Sequence, residues 1–210
     1  MSDFLKVLSE RTSAEHLDSR TPISVQEIEE MISEACQAPS AFNIQHWRFI
    51  AVTDERIRER LKGTTIAPNQ ERVANAPLIV LILGDLNGHK RLGGILDEAV
   101  HAGLLSREVA DIWLPMANDM YGSDPRLARD EAIRSCSLAA MTLMLAVGNR
   151  GYASCPIGFN PAQVMEILSI SDHYVPVMML AVGRRPASGN SARRPRLPVD
   201  QVLAFNIPPK

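Results

Sequence analysis

Four stretches of the chain combine residue types that chemistry could use. They are Arg11-Thr12-Ser13, Ala38 to Trp47 (APSAFNIQHW), Cys155 to Phe159 (CPIGF) and Arg193 to Pro198 (RRPRLP). Arginine clamps a phosphate through two parallel N–H donors. Pro39, Ser40 and Ala41 are small enough to let a backbone approach a flat ring. Asn43 and Gln45 carry amide donors and acceptors for ring edges. Gly158 offers a backbone N–H with no side chain beside it. Together these types suit a phosphorylated planar ligand. Taken singly, each stretch reads better as a turn, a helix stop or a solvated tail.

Other chemistries lack their residues. Glu98 and His101 form one E-x-x-H pair, where a di-iron bundle needs two such pairs and two further glutamates. No H-E-x-x-H or C-x-x-C is present, so no metal site is expected. There is no G-x-S-x-G elbow. Neither G-x-x-x-x-G-K-[ST] nor G-x-G-x-x-G occurs, which argues against P-loop and Rossmann nucleotide binding. Cys36 falls on a helical apolar stripe and reads as a small buried hydrophobe. His46 and His173 read as surface histidines.

The elements that must position these residues follow from pattern. A hydrophobic content of 46% with 22% charged residues, in 210 residues, is that of one globular domain. Three cysteines are too few for a disulfide scaffold and read as reduced thiols of a cytoplasmic protein. The N-terminus has no apolar stretch of signal length, and no apolar run approaches the ~20 residues of a membrane span. A net charge of −2 leaves no general footprint for nucleic acid. From Arg184 onward, however, six basic residues face one acid, a basic arm on an acidic body.

A short helix is predicted over 2–10. Ser24 and Glu27 form a capping box for a second helix, whose stripe runs through Ile28, Met31, Ile32, Ala35 and Cys36 before Pro39 stops it. Strands are predicted at 47–53, 78–84 and 175–182. Short helices are expected at 54–62, 68–75 and 161–168, and a long one opens at Asp124-Pro125 and runs to about Val147. Residues 85–94 read as a loop, followed by helices at 95–105 and 107–121 with Pro115 as a kink. Helices outnumber widely spaced strands, so the class is α+β.

The order of the motifs resembles the FMN-dependent nitroreductase family over nearly the whole chain, from about Leu5 to Leu203. The family pattern runs from R-x-S through A-P-S-x-x-N-x-Q-P-W and N-x-x-[KR] before A-P and an apolar strand. A long helix, P-I-x-G-F and [KR]-x-R-L-P follow. Here these stand as Arg11-Thr12-Ser13, APSAFNIQHW, Asn69 to Arg72, Ala76-Pro77 with LIVLIL, PIGF, and Arg194 to Pro198. The resemblance implies a nitroreductase-like α+β fold with a mainly antiparallel central sheet flanked by helices. It also implies an intertwined homodimer with FMN at the subunit interface and NADH or NADPH as hydride donor.

Carried onto this chain, the resemblance assigns Arg11, Thr12, Ser13, Arg194 and Arg196 to the phosphate and ribityl chain. Pro39, Ser40 and Ala41 would line the ring from the other subunit, with Asn43 nearby. Asn69 and Arg72 would stand at the pyrimidine edge. Pro156, Ile157 and Gly158 would lie along the ring, with the Gly158 N–H as donor to its hydride-accepting nitrogen. Three positions depart from the pattern: Glu15 where a cation is common, His46 where Q-P-W has proline, and a PIGF one residue short.

The reading is one domain over 1–210, with 85–123 as a variable cap and 184–210 as an extended arm. Within that cap, Trp113, Met116, Met120 and Tyr121 either shape an acceptor pocket or form helix core. The expected activity is transfer of two electrons from NAD(P)H through FMN to a small acceptor such as a nitro compound or quinone. No catalytic residue is expected beyond the flavin and Gly158, and no nucleic-acid or membrane partner is expected. The alternatives are a flavin-holding dimer without turnover and a dimeric scaffold whose arginine-rich arm binds another anion.

Overall fold

The apolar run after Pro77 forms strand β2 (Leu78–Asp85), and all eight of its residues are buried. Successive side chains of a strand point to opposite faces. Leu78, Val80 and Ile82 therefore enter one core layer, and Ile79, Leu81 and Leu83 the other. A strand buried on both faces needs neighbours on both edges and a helical layer on each side. In the computed structural model, which describes residues 3–186 and 193–206, it has both. The predicted helix start at Ser2 and the arm segments 187–192 and 207–210 lie outside the described residues.

β1 (Trp47–Val52) and β4 (Tyr174–Gly183) flank β2, and β3 (Ala153–Ile157) pairs with the far edge of β4. The order is β1-β2-β4-β3 and every pair is antiparallel. The β2–β4 register slips between Ile82 and Leu83, where Pro176 enters β4. A bulge is where a sheet tolerates proline. β3 corrects the expectation of three strands. It is short and carries Pro156, so its pattern is weak; as an edge strand it tolerates that missing N–H.

On the first face lie α2 (Val25–Ala35) and α7 (Pro125–Asn149). α7 has the length and apolar composition of a membrane span, but Ala139, Ala140 and Leu143 are buried in the core it shares with α2 and the sheet. On the second face, α3 (Glu55–Lys62), α4 (Asn69–Asn75) and α8 (Pro161–Ile167) insert Leu61, Val73 and Val164. α1 (Asp3–Glu10) packs on α7.

The expected caps form. Ser24 Oγ accepts from the Glu27 N–H at 3.2 Å while the Glu27 carboxylate accepts from the Ser24 N–H at 3.0 Å. Asp54, Asp124 and Asn160 cap α3, α7 and α8.

Residues 85–94 are not the expected loop. A 3-10 turn at Gly88–Arg91 leads into α5 (Leu92–His101), which starts three residues before the expected helix. Gly93 and Gly94 weaken the local helix signal, but Leu92 and Leu96 are buried in a third core and override it. α6 (Arg107–Ser123) runs through Pro115, which does not end it. That third core joins α5, α6 and Ile44, with Ala41, Phe42 and Trp113 packed at its margin.

At the end of β4, a Cβ on Gly183 would stand 2.7 Å from Pro77 Cδ. The proline ring cannot swing aside as a flexible side chain would. Gly183→Ala is expected to destabilise the protein by about 1–3 kcal/mol, the usual scale of overpacking. Urea unfolding, read as a lower midpoint with unchanged m value, checks this.

Candidate functional site

The edge strand β3 draws the N-terminal segment to the site. As α1 ends, the Arg11 N–H bonds to Val7 O at 3.0 Å and the chain turns extended. Ser13 forms a parallel bridge with Ser154, and the Ala14 N–H bonds to Ser154 O at 3.1 Å. Thr12 is fixed by Arg185, whose guanidinium donates to its carbonyl at 3.0 Å and to its hydroxyl at 2.5 Å. Along β3, Cys155 and Ile157 are buried in the second core while Pro156 is exposed. Ile157 therefore offers a ligand its backbone and not its side chain.

These elements enclose a cleft of about 320 Å³. Its lining brings Arg11 and Ser13 together with Arg193, Arg194 and Arg196 from the arm, and includes Asn69, Arg72, Cys155 and Pro156. The three arm arginines are individually tethered. Arg193 donates to Ser9 O at 3.1 Å and Arg196 to Arg194 O at 2.8 Å. Arg194 pairs with Glu15 at 3.2 Å. Burial and the neighbouring Arg196, Arg193 and Arg185 pull the Arg11 guanidinium below its ordinary value. Like charges crowd there, and an anion would relieve them.

Arg72 donates to Asn69 Oδ1 at 2.8 Å, and its Nε is buried without a hydrogen-bond partner among the described residues. That bond leaves the Asn69 amide nitrogen toward Gly158, at 3.9 Å from where a Cβ of the glycine would stand. Burial pushes the Cys155 thiol up, with Arg72 opposing, so Cys155 is a protonated wall residue and not a nucleophile.

One chain thus brings together Arg11, Thr12, Ser13, Asn69, Arg72, Pro156, Arg194 and Arg196, with Gly158 beside Asn69. Pro39, Ser40, Ala41 and Asn43 are not in that cleft. They sit at a 3-10 turn (Ala41–Asn43) where Ser40 Oγ accepts from the Gln45 N–H at 2.9 Å. Phe42, Asn43 and Gln45 adopt positive φ of 51°, 57° and 55°. Glu15, an expected departure, lies in the cleft and offsets one arm cation through Arg194.

Several residues gain roles that the sequence reading did not give them. Arg185 fixes Thr12, and its only signal was its place at the start of the basic arm. His46 is not a surface residue: it is 2% exposed. His173 is half-buried, with Nδ1 at 2.7 Å from Ser171 Oγ. Asp85 is buried and pairs with Arg48 at 3.7 Å and with Arg91. An acid closing an apolar strand was its signal. Tyr121 is core, Trp113 half-buried, and Met116 and Met120 are exposed on α6.

An antiparallel sheet with helices on both faces, and an arginine-lined cleft at its β3 edge, has known counterparts. The chain belongs to the nitroreductase family, whose sequence model matches residues 8–184. It is 35% identical over 206 residues to YodC of Bacillus subtilis (strain 168), which bears the name of an NAD(P)H nitroreductase; 98% of this chain and 100% of YodC are covered. A structure from Exiguobacterium sibiricum 255-15, called a nitroreductase and solved in complex with FMN, superposes with a TM-score of 0.89 at 30% identity, covering 98% of each chain. An enone reductase of Lactiplantibacillus plantarum, named for CLA biosynthesis, is 29% identical over 186 residues, 87% of this chain and 86% of the enzyme.

The arginine cluster of the cleft gives the first binding test. Inorganic phosphate at 10 mM should raise the unfolding temperature by about 3 °C, as expected for a ligand with a dissociation constant near 1 mM. The double variant Arg11→Gln, Arg196→Gln should lose most of that shift in differential scanning fluorimetry at constant ionic strength.

Proposed function

We propose that this protein is an FMN-dependent oxidoreductase that takes hydride from NADH or NADPH and passes two electrons to a small acceptor, such as a nitro compound or a quinone. The observation that carries the reading is the arginine-rich cleft. Five arginines with a single carboxylate line it. One of them, Arg72, has a buried Nε without a hydrogen-bond partner among the described residues. A phosphate fits the cluster of Arg11 with the arm arginines, and a ring edge bearing hydrogen-bond acceptors fits Arg72 and Asn69, so the residues present suit FMN. The FMN bound in the Exiguobacterium relative supports the same assignment.

In this reading Arg11, Ser13, Arg194 and Arg196 hold the phosphate and ribityl chain, with Thr12 fixed beside them. Asn69 and Arg72 meet the pyrimidine edge. Pro156 packs on the ring, and the backbone at Ile157 and Gly158 runs along it, with the Gly158 N–H as donor to the hydride-accepting nitrogen. Bound FMN supplies a two-electron carrier that accepts hydride and returns it. The guanidinium of Arg72 sets a fixed positive charge where negative charge gathers, which favours electron uptake. Catalysis then rests on stacking and orientation, with no acid–base triad required.

The molecule works as a homodimer in this reading. The turn carrying Pro39, Ser40, Ala41 and Asn43 completes the partner's site, and residues 85–123 cap it. The free thiols of Cys36, Cys136 and Cys155 suit the cytoplasm. The Glu15–Arg194 pair in the cleft supports a second reading, a dimer that holds flavin without turnover.

The absorption spectrum of the purified protein, followed by anaerobic addition of NADH or NADPH, separates these readings. A flavin spectrum that bleaches within seconds and returns on adding a nitroarene, quinone or enone is expected. Bound flavin that stays oxidised would favour the holding dimer, and a colourless protein that takes up no added FMN would end both. Arg72→Gln is expected to lower kcat at least tenfold, the scale of losing one preorganised charge donor. Its dissociation constant for FMN should change by less than that factor.

A further inference from the structure

The mechanism above makes no use of His46, yet its position is costly. The ring is 2% exposed and its Nδ1 is buried with no hydrogen-bond partner among the described residues. It meets the Tyr121 ring edge-on, with centroids 6.1 Å apart at 86°. Tyr121 in turn meets Phe42 edge-on at 6.2 Å, and Phe42 meets Trp113 at 5.7 Å. On its other side the imidazole is so close to Gly88 that a Cβ there would stand 3.0 Å from His46 Cδ2. Just before it come Phe42, Asn43 and Gln45 with φ in the left-handed region, which non-glycine residues hold only when their surroundings enforce it.

We propose that His46 is a positioning residue: its neutral imidazole is the wedge that locks the left-handed turn at 42–45 against α6, and protonation of that ring releases the turn. The proposal rests on the proposed function for its consequence, because that reading places this turn in the ligand site of the partner subunit.

The surroundings explain why a proton on His46 would go uncompensated. Tyr121 of α6 offers it a ring edge. Asp85 of β2 is already paired with Arg48 and Arg91. Glu131 of α7 is already paired with Arg134 and accepts from Ser135 Oγ at 3.1 Å. The turn at Gly88–Arg91 contributes His89 and Arg91, with Lys90 beside them, all cationic or able to become so. Burial outweighs the two carboxylates and pulls the His46 imidazole down to about 4. A histidine whose folded value is depressed gives stability that is fully present above its ordinary value near 6.5. That stability is lost as pH falls toward 4.

The test is hydrogen exchange of the 38–47 segment in the full-length protein, with and without FMN, corrected for intrinsic rates at pH 7 and pH 5. If the opened turn frees His46 to titrate normally, wild-type protection should fall about twentyfold over that interval, while β2 and α7 keep theirs. His46→Phe keeps a ring and cannot take a proton, so its protection should not change with pH. His46→Gln, the second variant should the first fail to fold, should show a less protected turn already at pH 7 and no pH response. In NMR, His46 should titrate well below 6.5. Where FMN binds, its dissociation constant should rise over the same interval in wild type and not in the variants.

Equal pH responses in wild type and His46→Gln would overturn the proposal, as would a His46 that titrates near 6.5 with the turn unchanged. The exchange measurement needs no flavin. A protein that binds no FMN would refute the proposed function alone, and a flavin-binding protein with a pH-insensitive turn would refute this inference alone.

Discussion

Burial of β2 on both faces is the constraint from which the rest of the structure follows. Eight consecutive residues without exposed surface must be paired along both edges, because an unsatisfied buried backbone group costs as much as a lost hydrogen bond. β1 and β4 meet that demand. Both faces are apolar, so each needs its own helical layer: α2 and α7 on one side, α3, α4 and α8 on the other. The sheet then ends at β3, and the backbone edge of β3 is taken up by Ser13 and Ala14. The cleft exists because this last strand borrows its neighbour from the N-terminus.

Electrostatics shapes that cleft. Arg11 and the arm arginines repel one another, and Arg193, Arg194 and Arg196 are each held by a carbonyl or by Glu15. Such an arrangement stores an affinity for anions, since every added negative charge relieves several repulsions at once. In the same lining, the Arg72 Nε is buried and lacks a partner among the described residues. A buried donor left unsatisfied costs about 1–3 kcal/mol, which a ligand acceptor would restore. Net charge conceals this polarity, because the acidic body nearly cancels the arm over the whole chain.

The turn at 41–45 is the strained part of the molecule. Its left-handed residues are held by aromatic edges from α6 and by a histidine wedged against Gly88. Nearby, Asp85 draws Arg48 and Arg91 onto the carbonyl of Gln45, so the turn is gripped from its C-terminal end as well. A loop this firmly held departs from the usual link between irregular backbone and mobility.

By itself the sequence determined what is encoded within a few residues. The Ser24–Glu27 capping box, the Asp124-Pro125 start of α7, the Asn160 cap of α8 and the continuous apolar run of β2 each formed where their local chemistry places them. Six motifs in order also made the family legible, and with it the arginines of the cleft. Tertiary structure alone decided the rest. β3 carries a proline and too few residues to show a pattern, and it is a strand because β4 offers it an edge. α5 carries two glycines in its first turn and is a helix because Leu92 and Leu96 have a core to enter. Histidine is compatible with surface or interior, and only the packing of Gly88, Tyr121 and Ile44 places His46 inside. Caps and periodicity act over one or two turns of chain. Burial and charge pairing join residues far apart in sequence, such as Ser13 with Ser154 and Arg11 with Arg196, and those meetings are set by the order of strands in the sheet.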